Sequence, residues 1–139
     1  MEIFQVAPVL EVSDVERSMG WYEEHLGFVG DPFPERAPYR FAILRHERLG
    51  GRDKGRESAE IMLRLGECRV GSRGRYEWDV YLRLRGAGFK ECYQRFQRLG
   101  LVLRECELMP YGLEEFEVRD PDGYSLCLSC RPQESRFFG

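Results

Sequence analysis

The sequence predicts an α+β fold in which one unit, a strand, a helix and three further strands, is used twice. Three observations predict it. Two helix-spaced apolar segments close in the same way, Leu26-Gly27-Phe28 and Leu99-Gly100-Leu101, with their glycines 73 positions apart. The strands before them end at Val12 and Leu84, 72 positions apart. Three strand candidates follow each helix. Self-similarity of this kind is a statement about the whole fold. Each half is too short to bury a core well by itself, so two sheets must combine.

The elements follow in order. Residues 4 to 12 (Phe-Gln-Val-Ala-Pro-Val-Leu-Glu-Val) read as the first strand. Ser13-Asp14-Val15-Glu16 supplies Ser and Glu three apart, a capping box. Val15, Met19, Tyr22 and Leu26 then recur at helical spacing, which predicts a helix over 14–26. Gly27 stands where a left-handed helix terminus wants glycine, and Phe28 can fold back on the last turn. Pro32, Pro34 and Pro38 break the next stretch into turn and edge segments. Strands are expected at 39–45 and 60–64, separated by a polar, glycine-rich loop at 48–57. Gly66, Gly71 and Gly74, among arginines, mark 65–76 as a connection. Residues 78–85 alternate Val80, Leu82 and Leu84 with Asp79, Tyr81 and Arg83, the pattern of a half-buried strand. Phe89, Cys92, Tyr93, Phe96 and Leu99 mark the second helix. Strands are expected at 101–108, 113–119 and 124–128, with Asp120-Pro121-Asp122-Gly123 as a turn. The expected organisation is a single domain, 1–139, with module one at about 3–64, a linker at about 65–76 and module two at about 77–131.

The chain has 139 residues and a mass of 16.4 kDa, the size of one domain. At 42% hydrophobic it can build a core, and it has no apolar run long enough for a membrane span. The first residues, Met1 to Gln5, lack a basic run followed by an apolar block, so no secretory signal is expected. Net charge is −3, which argues against a nucleic-acid partner. The basic residues are 19 Arg and 2 Lys, scattered, and read as surface.

Five cysteines (Cys68, Cys92, Cys106, Cys127, Cys130) with no signal favour reduced thiols and a cytoplasmic location. Cys127 and Cys130 are three apart on a strand and point to opposite faces, so neither a redox pair nor a zinc half-site is expected. They read as small buried side chains. Only two histidines exist, His25 and His46, which excludes a His-rich metal site. His25 reads as surface or interface, and His46 as a strand-end residue.

Two motifs carry a family resemblance. The first half holds Val12-x-Asp14, Ser18, Trp21-Tyr22 and Leu26-Gly27-Phe28. The second holds Tyr111-Gly112 and Phe116-x-Val118-x-Asp120-Pro121-Asp122-Gly123-Tyr124. Together, over residues 4 to 131, they resemble the vicinal oxygen chelate superfamily of glyoxalases, extradiol dioxygenases, fosfomycin-resistance enzymes and bleomycin-resistance proteins. The resemblance implies two βαβββ modules forming a half-open barrel around a cleft, and a homodimer. One fold hosts many chemistries, so the reaction does not follow from it.

Enzymes of that superfamily place metal ligands (His, Glu or Gln) in the first and last strand of each module. The corresponding positions here are Ala7, Met62, Asp79 and Cys127. Alanine cannot ligate, and methionine is a poor partner for a hard divalent ion. No metal and no cofactor are expected. Strand alternation instead assigns Leu10, Val12, Ile61, Leu63, Val80, Leu82, Leu84, Phe116, Val118, Leu126 and Leu128 to the helix side. Val9, Glu11, Glu60, Met62, Arg64, Asp79, Tyr81, Arg83, Glu115, Glu117, Ser125 and Cys127 take the other side. Glu115 and Glu117 read equally as site carboxylates or as the wet face of a strand. Asp79 reads as a site residue or as the partner of Arg64 or Arg83.

The expected ligand-binding residues are Phe33, Tyr39, Phe41, Glu60, Met62, Trp78, Asp79, Tyr81, Arg83, Tyr111 and Cys127. Bleomycin-resistance proteins bind a cationic planar drug by stacking and negative charge. The resemblance therefore implies a metal-independent dimer that sequesters a small molecule. The alternative is a glyoxalase-like lyase, isomerase or dioxygenase relative with an atypical metal or acid/base site, using Asp79, Glu60, Glu115 or Cys127. A scaffold without a small ligand is a third reading.

Overall fold

The computed structural model describes residues 1–46 and 58–135. The expected 48–57 loop lies outside the described residues. The chain divides into two compact units, Met1–Arg69 and Val70–Gly139.

Unit one runs β1 (Val9–Val12), α1 (Val15–Leu26), β2 (Val29–Phe33), β3 (Phe41–His46) and β4 (Ala59–Leu65). Its sheet order is β1-β4-β3-β2, with β1 parallel to β4 and the other pairs antiparallel. The first strand is shorter than expected. It begins after Pro8, which has no N–H to give a ladder but whose carbonyl accepts from the Met62 amide at 2.9 Å. The helix start also differs by one position. Asp14, not Ser13, is the cap, and its carboxylate accepts the Arg17 amide at 3.0 Å. A carboxylate at that place satisfies an orphan donor and also meets the positive end of the helix dipole. Gly27 closes α1 at φ 72, a conformation that glycine adopts without penalty. Tyr22, Val15, Phe28, Leu44, Ile61 and Leu63 form the core of this unit.

Unit two runs β5 (Val80–Arg83), α2 (Gly88–Arg98), β6 (Val102–Leu108), β7 (Glu114–Arg119), β8 (Ser125–Cys130) and α3 (Pro132–Ser135). The order β5-β8-β7-β6, with β5 parallel to β8, repeats the topology of unit one. Phe116 is its hub. It is fully buried, with the rings of Phe89, Tyr93 and Phe96 from α2 at 5.3, 4.9 and 6.3 Å. The short α3 is not foreseen by the pattern; its Ser135 hydroxyl donates to the buried Glu114. Asp120 builds the expected turn, accepting the amides of Asp122 and Tyr124, each at 2.9 Å.

Of the residues assigned to the helix side, all are buried except Leu82 and Leu84, which are half-buried near the end of β5. Among the described residues, no helix is long and apolar enough to cross a membrane.

Phe116→Ala leaves a cavity among three aromatic rings and removes about 3–5 kcal/mol of stability. Urea denaturation followed by circular dichroism measures it; a loss below about 1 kcal/mol contradicts the assigned hub.

Candidate functional site

The face of the unit-two sheet opposite α2 holds the chemistry. Cross-strand register arranges it in rows. Tyr81 pairs with Cys127, Cys127 with Glu117, and Glu117 with Arg104. The next row is Arg83, Ser129, Glu115 and Glu107.

Arg104 is the centre. Its side chain is 3% exposed, and Glu115 and Glu117 are fully buried. Nε donates to Glu117, Nη2 donates to Glu115 at 2.8 Å, and Nη1 donates to Glu107 at 2.5 Å. The Cys127 Sγ lies 3.8 Å from Nη2. Burial disfavours the guanidinium charge, but hydrogen bonds to Glu117 and Glu115 outweigh burial and raise its pKa. The wet-face reading of Glu115 and Glu117 is therefore wrong, and so is the assignment of every arginine but Arg83 to the surface. A buried carboxylate persists as an ion only beside a partner, and Arg104 is that partner.

Tyr76 covers this cluster from the connection. Its ring centroid lies 4.3 Å from the Arg104 guanidinium carbon. Its amide donates to Glu117 at 3.0 Å and its hydroxyl donates to Glu107. Tyr76 has φ 67, the one non-glycine residue with positive φ among those described. The surroundings over-determine that strained backbone.

Asp79 pairs with neither Arg64 nor Arg83. Arg73, in the connection, grips it through Nε at 3.1 Å and Nη2 at 3.1 Å, and the Ser125 amide donates to it at 2.9 Å. Arg64 pairs instead with Glu11 at 3.2 Å.

The aromatic residues gather beside Glu115. The Tyr81 hydroxyl donates to it at 2.8 Å, and the Tyr111 hydroxyl shares the same carboxylate. Trp78 stacks obliquely on Tyr81 at 5.7 Å, and the Arg83 guanidinium sits 5.9 Å from the Tyr81 ring. Burial raises the Tyr81 pKa; Ser129 opposes this and Glu115 adds to it. Burial, then Glu115, raises that of Tyr111 as well. Both hydroxyls stay protonated donors. Of the expected site residues, Trp78, Tyr81, Arg83, Tyr111 and Cys127 thus come together, with Asp79 at one end.

The corresponding face of unit one is different. Phe41 opposes both Phe33 and Arg64, Ile43 opposes Met62, and Arg45 opposes Glu60. Phe33 and Phe41 stack at 6.3 Å. Tyr39 is half-buried just before β3. Equivalent rows therefore carry Val9, Met62 and Ile43 in unit one and Tyr81, Cys127 and Glu117 in unit two. At these places unit one is apolar and partly exposed, whereas unit two buries Cys127 and Glu117.

The donors at the superfamily's metal positions do not fit a divalent ion. Ala7 has none. Asp79 is engaged by Arg73. Burial first, then the charge of Glu115, pushes the Cys127 thiol up, which disfavours the thiolate that a metal needs, and a guanidinium stands beside it. Among the described residues no group of three or more His, Cys, Asp and Glu side chains is placed to hold a metal ion.

No family model matches the sequence, and no curated protein does. Solved structures do. A glyoxalase-related enzyme from Clostridium phytofermentans superposes with a TM-score of 0.72 at 15% identity, covering 94% of this chain and 97% of that one. A member of the glyoxalase/bleomycin resistance protein/dioxygenase superfamily from Sphaerobacter thermophilus gives 0.65 at 24% identity, covering 93% and 98%. TioX from Micromonospora sp. ML1 gives 0.62 at 21% identity, covering 90% and 96%. The fold is therefore that of the glyoxalase/bleomycin resistance protein/dioxygenase superfamily, the one the sequence motifs resemble.

Arg104, Tyr76, Arg73 and Glu107 are the residues that sequence reasoning missed. The available signal was the pair Glu115 and Glu117, two carboxylates on one strand face that demand a cation if buried. Naming Arg104 required the register of β6 on β7, which shifts on both sides of Arg104. Counting parity through the hairpin fails there.

Burial, then Glu114, pushes the Cys106 thiol up to about 12, and burial likewise raises Cys92, Cys127 and Cys130. The folded state holds these protons more tightly than the unfolded chain. The associated stability is complete below the ordinary thiol pKa of 9.0 and is lost as pH rises from there towards 12. Urea midpoints measured from pH 7 to pH 10.5 should fall above about pH 9, and less steeply in Cys106→Ser. Identical slopes in both proteins would contradict this origin.

Proposed function

We propose that this protein binds a small cationic, planar molecule without a metal, as a cytoplasmic homodimer, and sequesters it without making or breaking a bond. The observation that carries the reading is the meeting of Tyr81 and Tyr111 at buried Glu115, with Trp78 stacked on Tyr81. Three aromatic groups supply stacking surface, and aromatic faces attract cations. The charge balance has the matching sign. One guanidinium faces the three carboxylates Glu107, Glu115 and Glu117, so the cluster keeps a negative excess. That excess favours a cation. Relatives in fold include a member of a superfamily whose name contains bleomycin resistance, which agrees with such a ligand. In this reading Phe33, Tyr39, Phe41, Glu60 and Met62 offer a second, more apolar surface in unit one.

The test is thermal melting against a panel of cationic glycopeptide drugs and planar aromatic amines. A ligand at 100 times its Kd stabilises the fold by about 2.7 kcal/mol. Trp78→Ala and Tyr81→Ala should each weaken a responding ligand by about tenfold or more. A panel without any shift removes the binding reading.

For the dimer, Ile3, Phe4, Val6 and Val9 expose apolar surface that a second copy would cover. Light scattering should return twice 16.4 kDa, and Phe4→Asp should return the monomer mass.

A further inference from the structure

Arg83 stands apart from the other arginines of the unit-two site. Arg104 is engaged by carboxylates and Arg73 holds Asp79. Arg83 is exposed, and among the described residues no carboxylate pairs with it. Its guanidinium carbon lies 5.9 Å from the centre of the Tyr81 ring, the ring that Trp78 also meets at 5.7 Å. Register places Arg83 beside Ser129 and Ser129 beside Glu115. Neither neighbour serves it. The Ser129 hydroxyl donates to the Leu82 carbonyl at 3.2 Å. Glu115 is fully buried and takes Arg104 on one oxygen and the Tyr81 hydroxyl on the other. A ligand stacked on Tyr81 therefore meets an unneutralised cation at the edge of that ring. A purely cationic ligand is repelled there, because like charges at such range oppose each other. A ligand that brings an anionic group to the same edge turns the contact into an attraction. A guanidinium beside an aromatic ring keeps its N–H donors for such a group, and its planar fork matches a carboxylate.

We infer that Arg83 sets the specificity of the proposed site, and that the ligand is a zwitterion: a planar aromatic cation with a carboxylate at one edge. This inference rests on the binding reading above and narrows it. The ring of the ligand lies against Tyr81 and Trp78, and its carboxylate takes the Arg83 fork. Its cationic part meets the negative excess of the carboxylate cluster. Arg83 thus selects against planar cations that lack an anionic group.

The test titrates full-length wild type, Arg83→Gln, Arg83→Glu and Arg85→Gln with two fluorescent probes. One is a cationic aminoacridine, and the other is the same aminoacridine bearing a ring carboxylate. Wild type should bind the carboxylated probe about fivefold more tightly than the plain one. The preference should shrink in high salt, because the pair is exposed. Arg83→Gln should abolish the preference, and Arg83→Glu should reverse it. Arg85→Gln removes the same charge two residues farther on and should retain the wild-type preference. If wild type binds both probes equally, or if the preference survives Arg83→Gln, the inference is overturned while the binding reading stands. Loss of the preference in Arg85→Gln overturns it too, since net charge alone then explains it. If neither probe binds wild type, the inference is overturned, and the melting panel decides whether the binding reading falls with it.

Discussion

The guanidinium of Arg104 among buried carboxylates is the interaction on which unit two depends. A sheet face with Glu115 and Glu117 in its central strand would ordinarily be wet. Here the two carboxylates are buried, and Arg104, on the neighbouring β6, supplies a nitrogen to each. A buried ionic cluster of this kind adds little net stability over an apolar one of equal volume, since desolvation consumes most of the attraction. What it supplies is position. Tyr81 and Tyr111 take their places from Glu115, and Tyr76 takes its place from Glu117 and Glu107. The strained backbone of Tyr76 persists because these contacts hold it on both ends.

The two units show how one topology supports two surfaces. Their sheets share an order, and the sides packed on the helices are both apolar. Hydrophobic burial fixes those sides and constrains both units alike. The opposite sides are free of that demand. In unit one the rows became Val9, Met62, Ile43 and Phe41; in unit two the equivalent places hold Tyr81, Cys127, Glu117 and Glu115. Once a carboxylate entered the central strand, a cation had to accompany it. The presence of Arg104 on β6 is the physical counterpart of the acidic pair on β7.

The helical and strand patterns were legible because they rest on local periodicity and on backbone positions with few solutions. Gly27 is an example: its φ of 72 closes α1 where the Leu-Gly-apolar signal placed the end. Gly100 closes α2 at φ 70 in the same manner. The turn at Asp120–Gly123 rests on side-chain to backbone hydrogen bonds within four residues, so it too is local. Small errors mark the places where a competing local group won. Asp14 displaced Ser13 as the cap, and Pro8 cut the first strand short. Part of the site was legible by the same route, since alternation alone puts Tyr81, Cys127, Glu115 and Glu117 on one face.

What the sequence determined by itself is the repeated unit and the helix-facing core, because period and residue chemistry are local properties. What only the tertiary structure decided is which charges meet. Arg104 reaches Glu117 across 13 residues, Tyr76 reaches it across 41, and Asp79 takes Arg73 rather than either expected arginine. Partner choice among 21 basic and 24 acidic residues depends on register, bulges and the path of the connection. A Coulomb attraction does not say which pair will be brought within reach; burial and backbone geometry do.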